Sequence, residues 1–393
     1  MRTKLSGFIV AAAFALVVAA TTATARNHAP APNSVPSRTE ILFLGTAGGP
    51  PLRFDRSEPS TMLIVDGRPY LIDCGIGTMR RMLKAGIASE SIKTIFFTHL
   101  HADHDLGLAD VMGNDFFRLN LAGSAQTINI YGPPQTKDLV DAAFHYITFG
   151  FTAFAAEPGA IRVGLVNGQF KSPFIAHEIA RDGVFYKDDK IRVTAAENTH
   201  YVLMPTQLRQ KMKSYAYRIE TPHGVVVFTG DTGPSDAVTD LARGADVLVT
   251  EVQDFDEAKN FVDRLAQQNH WPSRRTAALT AHMREEHLDE EHVAIMATKA
   301  HVKSVVLYHY TPPDPAAYVT AVKKHFAGPV FAPADLDRYC LGATNSNKDA
   351  ASLHPCHEMP AASRSEGIRS GQNRASAVEV IRKQVQPVSL HTR

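Results

Sequence analysis

The sequence predicts an α/β fold of β-sheets covered by helices, and three observations carry that reading. β-rich runs alternate along the chain with a few helical stretches, an order that suits sheets with helices laid over them rather than a bundle. The composition is globular: of 393 residues, 44% are hydrophobic and 21% charged. Several strand runs stop at a histidine or an aspartate, so polar side chains gather at strand ends.

Residues 1–25 read as a signal peptide. Arg2 and Lys4 precede an apolar run at 8–20, and Ala23 and Ala25 frame a small-residue cleavage site. The run is too short to span a hydrocarbon core of about 30 Å comfortably, and an uncleaved N-terminal anchor is the rival reading. Either way the working domain is expected outside the cytoplasm, periplasmic or secreted. Residues 26–39, rich in Pro, Ala and Ser, read as a linker. One folded domain is expected at 40–341, and a disordered tail at 342–393, where the sequence turns polar.

Residues 40–46 (EILFLGT) predict a strand running into a glycine loop, GTAGG from Gly45, that calls for unusual backbone angles. Apolar runs at 61–65 and 70–73 flank Asp66 and Gly67, a hairpin signal. Residues 79–85 predict a short helix ending at Gly86. Further strands are expected at 94–98, 127–131, 190–195, 215–220, 224–229 and 246–252. A helix at 288–300 carries Val293, Met296, Ala297 and Ala300 on one face, and a last strand at 304–308 leads into His309. Residues 144–174, rich in Phe and Gly without a clear period, read as a loop, either a plain surface excursion or a lid.

Lys plus Arg total 41 and Asp plus Glu total 40. So small a net charge creates no overall field to recruit nucleic acid or an anionic membrane, and DNA is not an expected partner. The run Arg209, Lys211, Lys213 and Arg218 is either a solvated loop or a meeting place for an anionic substrate. Cys74 reads as a buried small residue. An oxidising compartment permits a Cys340–Cys356 bridge without demanding it.

The chemistry gathers at His99, His101, Asp103 and His104, four potential ligands within six residues. Two imidazoles two positions apart can point the same way from an extended segment, and Asp103 and His104 can then turn to a second ion. Zinc accepts neutral imidazole nitrogen and carboxylate oxygen at about 2.0–2.2 Å, so this mixture suits it.

The His-x-His-x-Asp-His pattern resembles the signature of the metallo-β-lactamase superfamily. That resemblance implies an αβ/βα sandwich, two sheets face to face with helices on the outer faces, and two zinc ions at one edge. It implies the remaining ligands as well: His200 after a strand, Asp231 in Gly-Asp-Thr, and His309 in VVLYHY. One ion would take His99, His101 and His200; the other would take Asp103, His104 and His309, with Asp231 and a hydroxide bridging the two. Taken singly, His200 suits an ordinary loop, Asp231 a turn and His309 a strand end. Asp73 either caps a turn or holds an imidazole from behind.

Within the superfamily, FLGTAGGPP, LIDCGIGTMRRML and THLHADHDLGL resemble blocks of ribonuclease Z and related arylsulfatase-like phosphodiesterases, across most of residues 41–341. The resemblance implies hydrolysis of a phosphodiester or aryl sulfate by a metal-bridging hydroxide. Asp103 would orient the nucleophile. His287, 22 residues before His309, would protonate the leaving group, with Glu251 or His282 assisting.

Three departures argue against transfer-RNA processing. Only 30 residues separate His200 from Asp231, where ribonuclease Z usually carries a long basic arm. The family's His-Glu-Ala-Thr motif reads Thr250, Glu251, Val252, Gln253 here. Export would also remove the protein from transfer RNA. A small-molecule ester substrate is therefore expected and RNA is not; a homodimer stays open. A zinc β-lactamase or lactonase is the rival hydrolase, although zinc β-lactamases generally place Cys or Ser where Asp231 stands. A non-catalytic metal- or ligand-binding protein would be signalled by a lost ligand, and none is lost.

Overall fold

The computed structural model describes residues 37–49, 51–121, 126–155, 170–310, 314–344 and 347–356. The expected signal peptide, the linker up to residue 36 and the tail from residue 357 lie outside the described residues.

Among the described residues, fifteen strands form two sheets. The first contains β1 (Thr39–Gly45), β2 (Ser60–Val65), β3 (Arg68–Ile72), β4 (Thr94–Phe96), β5 (Ile128–Gly132), β6 (Phe174–Glu178), β14 (Arg338–Thr344) and β15 (Asn347–Pro355). Its order is β15-β14-β1-β2-β3-β4-β5-β6. The second contains β7 (Gly183–Lys187), β8 (Arg192–Glu197), β9 (Tyr215–Thr221), β10 (Gly224–Phe228), β11 (Val247–Val252), β12 (Ser304–Tyr310) and β13 (Val330–Phe331), in the order β13-β12-β11-β10-β9-β8-β7. Both sheets are mixed: β3 to β6 run parallel to one another, as do β10 to β13, and the remaining pairings are antiparallel.

Side chains alternate across a strand, so a strand buried on both faces reads as a continuous apolar run. In β1, Ile41 and Phe43 join a core shared by the two sheets, whereas Leu42 and Leu44 join the layer outside the first sheet. In β12, Val306 and Tyr308 point into the shared core, while Val305 and Leu307 face the helices outside the second sheet. The result is four layers, helix–sheet–sheet–helix.

The outer layers are helical. Helices α1 (Thr78–Lys84), α2 (Ala102–Asp105), α3 (Leu108–Leu121) and α4 (Thr136–Ala155) follow first-sheet strands, and α1, α3 and α4 bury Met82, Met112 and Val140 against that sheet. After α5 (Thr206–Arg209), α6 (Asp236–Leu241) packs on the second sheet through Val238. Next come α7 (Phe255–Gln268), α8 (Ser273–Glu285), α9 (Glu290–Lys299) and α10 (Pro315–Val322). Of these, α9 and α10 cover the second sheet with Val293, Met296 and Val322.

Four expectations are corrected. Residues 144–155 are not a loop but the second half of α4, in which Val140, Phe144, Ile147 and Phe151 recur with helical spacing against the core; residues 156–169 lie outside the described residues. Residues 342–344 and 347–356 of the expected tail are built into the fold: β15 pairs antiparallel with β14, Leu353 packs on the core, and Cys340 and Cys356 form a disulfide. An edge strand needs little apolar surface, so its polar composition hid it. The strand expected last, β12, runs through His309 to Tyr310 rather than ending before it, and β13, β14 and β15 follow it. The GTAGG glycines serve close approach, not unusual angles. A Cβ on Gly45 would lie 1.8 Å from the Glu58 carbonyl oxygen, and one on Gly49 would lie 2.2 Å from Asp103 Oδ2.

Candidate metal centre

The His99–His104 segment is anchored from behind by Asp73. This residue follows β3 at φ 54°, a left-handed backbone that non-glycine residues seldom adopt. Its N–H continues the parallel ladder by donating to the Phe96 carbonyl at 2.9 Å. Its carboxylate accepts from Thr98 N at 2.8 Å and Thr98 Oγ1 at 2.9 Å, and receives His104 Nδ1 at 2.9 Å. Asp73 therefore fixes the start of the segment and presents His104 Nε2 forward.

The other ligand candidates reach the same place from strand ends. His101 sits at the N-cap of α2 in an extended conformation, and Asp103 and His104 occupy that helix's single turn. His200, three residues past β8, is held through Nδ1 by the Glu286 carbonyl at 2.9 Å, and its Nε2 lies 3.0 Å from His101 Nδ1. Asp231 follows Gly230, whose φ is 59° and where an added Cβ would sit 2.9 Å from the Thr98 Cβ. His309 has φ 50°. Opposite β11 the register jumps from Thr250↔Leu307 to Val252↔Tyr310, so β12 carries one extra residue. That bulge turns the His309 ring out of the strand's alternation. Its Nε2 lies 3.2 Å from Asp103 Oδ2 and 3.3 Å from Asp231 Oδ2.

All seven residues named from the sequence meet. His99, His101 and His200 form one group, Asp103, His104 and His309 a second, and His99, His104 and Asp231 a third, each with donor atoms within 4.8 Å of one another. Asp231 lies between the two main groups, with Oδ1 3.4 Å from His104 Nε2 and Oδ2 4.0 Å from His99 Nε2. His99 Nε2, His104 Nε2 and Asp231 Oδ1 are buried with no hydrogen-bond partner among the described residues. An unpaired buried polar atom costs about 1–3 kcal/mol, and three aimed at one spot fit a divalent cation.

The electrostatics divide the centre. Burial holds His99 and His200 well below the usual imidazole range and brings His101 down to about 4, so this half is neutral and ready to bind metal. In the acid-rich half burial acts against every charge. His104 and His309 outweigh it at Asp103, and His309 and His104 outweigh it at Asp231, keeping both carboxylates ionised. Around His104, burial lowers the pKa but Asp231, Asp103 and Asp73 raise it further. That half attracts positive charge.

Beside the centre lie two histidine–carboxylate pairs. His287, between α8 and α9, has Nδ1 2.6 Å from Glu251 Oε2, while Glu251 Oε1 accepts from Thr232 N at 2.5 Å. Burial, with Asp231 nearby, pushes the Glu251 carboxyl well above its usual range, and burial pushes His287 down. His282 Nδ1 stands 2.5 Å from Glu286 Oε2, and its ring centroid is 5.1 Å from that of His287. A cleft of about 750 Å³ opens onto His101, Asp103, Asp231, Glu251, His282, His287 and His309. Sequence reasoning missed its far wall, α7 and α8, although Ala258, Phe261, Val262 and Leu265 carry a plain helical period. None of the basic run Arg209, Lys211, Lys213 and Arg218 lines the cleft. Lys213 pairs with Glu197 at 2.5 Å, and Arg218 donates to the Leu241 and Arg243 carbonyls.

This sandwich and this histidine–aspartate cluster define a metal-dependent hydrolase, and the chain belongs to the metallo-β-lactamase superfamily: residues 68–310 match the beta-lactamase superfamily domain. Within it the similarity is to ribonuclease Z. The enzyme of that name from Mycobacterium sp. (strain KMS) is 30% identical over 275 residues, covering 70% of this chain and 85% of the relative. That of Mycobacterium marinum is 29% identical over 273 residues, covering 70% and 86%. The fold is shared with the metallo-beta-lactamase fold protein YhfI from Bacillus subtilis (TM-score 0.55, 15% identity, 77% of this chain and 99% of that one). It is shared too with the short form of human tRNase Z (TM-score 0.51, 19% identity, 76% and 98%).

Proposed function

We propose that the protein is an exported hydrolase that binds two zinc ions and cleaves phosphodiester or aryl sulfate bonds in small molecules. The observation that carries this reading is the pair of ligand groups with Asp231 between them in the cleft, and three buried ligand atoms unsatisfied. His99, His101 and His200 would hold one ion, and Asp103, His104 and His309 the other, with Asp231 between them. Such a pair, once bound, supplies a nucleophilic water near neutral pH and polarises the bond to be cut.

The chain's own residues do the rest. Asp103, packed against His309, orients the attacking water. Glu251 grips His287 Nδ1, which leaves Nε2 to give a proton to the departing oxygen. Asp73 and the Glu286 carbonyl hold His104 and His200 in the orientation ligation needs. Export is supported by the pattern of residues 1–25 and by the Cys340–Cys356 disulfide, since such bonds persist in oxidising compartments. Transfer RNA is disfavoured as substrate by the short connection from His200 to Asp231 and by the engaged Lys213 and Arg218.

The test is a panel of chromogenic phosphodiesters, aryl sulfates, lactones and a cephalosporin, offered to the zinc-loaded chain. Turnover of a phosphodiester or an aryl sulfate is expected. Turnover of the cephalosporin alone would replace this reading with a β-lactamase.

A further inference from the structure

Between β11 and α9 the chain inserts the hairpin α7–α8, and its apolar side chains enter none of the three core clusters. In α7, Ala258, Phe261, Val262 and Leu265 fall at i, i+3, i+4 and i+7, the apolar face of a helix. Ala258 and Val262 are buried, yet Phe261 is 41% exposed and Leu265 half-buried. Helix α8 buries no side chain fully, although it carries Leu279 and Met283. Phe261, Leu265, Leu279 and Met283 instead line the cleft whose floor is the candidate metal centre. A contiguous apolar wall facing a reaction centre is surface that a ligand covers.

Charge narrows the ligand. The two cations in the described lining each stand beside an acid: Arg264 lies 3.3 Å from Glu257, and Arg53 lies 3.4 Å from Asp55. Among the described lining residues of α7 and α8, a polyanion would find only Arg264, itself beside Glu257, to neutralise it. His282 and His287, the candidate proton donors, stand at the foot of the hairpin. The substrate group that receives the proton is therefore the group that lies on α7 and α8.

We infer that the α7–α8 hairpin is a leaving-group subsite for an apolar phenol or alcohol, so that the substrate is an ester joining a small anionic phosphoryl or sulfuryl centre to a bulky uncharged group. This rests on the hydrolase reading above. In the step it serves, the water oxygen bonds to phosphorus or sulfur and the bond to the leaving oxygen breaks. One proton passes from His287 to that oxygen, and the water's proton returns to the imidazole or to solvent.

The experiment uses methyl phosphodiesters, and the matching sulfates, of phenol, 4-ethylphenol and 4-tert-butylphenol, whose acidities are close. Burial of an extra methylene is worth about fourfold. kcat/KM should therefore rise at least about tenfold across the series, mostly through KM. Phe261→Ser and Leu279→Ser, on different helices, should each reduce that rise to about threefold or less. Calorimetry with the free phenols supplies a readout independent of turnover: 4-tert-butylphenol should bind more tightly than phenol, and both variants should lose the difference. Turnover with a flat series would overturn the subsite and leave the hydrolase reading standing, as would a steep series unaltered in both variants. No turnover of any ester would overturn the hydrolase reading, and the calorimetric order would then decide whether the wall binds apolar phenols at all.

Discussion

Asp73 Oδ2 stands 2.9 Å from His104 Nδ1, and the same carboxylate takes both the backbone N–H and the hydroxyl of Thr98. One side chain thus orients the ring of a candidate ligand and sets the path of the segment that carries four of the seven candidates. Losing such a support typically costs about 10–100-fold in metal affinity. Asp73→Ala should weaken zinc binding by that factor while leaving the ligands themselves present. Competition with a chromogenic chelator measures it; unchanged affinity would reduce Asp73 to a turn residue.

Asp231→Ala removes the carboxylate that lies between the two ligand groups. It should lower bound zinc from two ions per chain toward one or none, and activity should fall with it. Elemental analysis of the dialysed protein beside its rate on an activated diester gives both quantities. Retention of two zinc ions and full rate would dismantle the proposed centre.

His287→Ala should slow esters of weakly acidic leaving groups by about 10²–10⁴-fold, the usual worth of a positioned acid. Nitrophenyl esters, whose leaving groups need no proton, should suffer far less. Plotting log rate against leaving-group pKa for both proteins gives a steeper slope in the variant if the role is correct. Parallel lines would assign His287 a structural part. Glu251→Gln should move the pH profile in the same experiment, because Glu251 holds the other ring nitrogen.

Much of the site was legible because its residues sit at punctuation marks of the chain. His99, His200 and Asp231 follow apolar strands at turns, and the HxHxDH run packs chemistry too densely to be accidental. The sandwich was legible through β1, β11 and β12, whose doubly buried faces leave continuous apolar runs. What escaped notice had its signal diluted or its packing partner hidden. Helix α4 mixes aromatics with Gly150, a weak helix residue, so its period was masked. Strand β15 is an edge that needs little apolar surface. The hairpin α7–α8 is polar on its solvent face and turns its apolar face to a cleft rather than a core, which only the fold reveals. The positive φ of Asp73 and His309 could not be foreseen, since each is imposed by surrounding contacts rather than by local preference.

Gly49 makes a steric prediction at the cleft's rim. A Cβ there would fall 2.2 Å from Asp103 Oδ2 and 2.3 Å from the Asp103 Cβ, so turning the carboxylate alone does not relieve the clash. Gly49→Ala should therefore displace the Asp103 carboxylate and lower activity by at least about tenfold, while unfolding temperature changes little. Zinc stoichiometry and a thermal melt on one sample separate the two effects. An active variant would show that the loop yields easily.

Asp115, on α3, offers a test of the fold away from the metal centre. Its side chain is fully buried, and burial pushes its carboxyl up to about 6. The unfolded chain ionises this group near about 3.9. A folded pKa above the unfolded one means that the unfolded state sheds its proton first. Stability is therefore undiminished below about pH 3.9, falls as pH rises to about 6, and stays lowered beyond. Asp115→Asn keeps the shape and removes the ionisation. The variant should gain up to about 3 kcal/mol over the parent at pH 8, and about half of that at pH 5. Titration of the metal ligands is common to both proteins and cancels in the difference. Urea unfolding of the pair at the two pH values measures it, and an equal difference at both would mean that Asp115 is not held above its ordinary range.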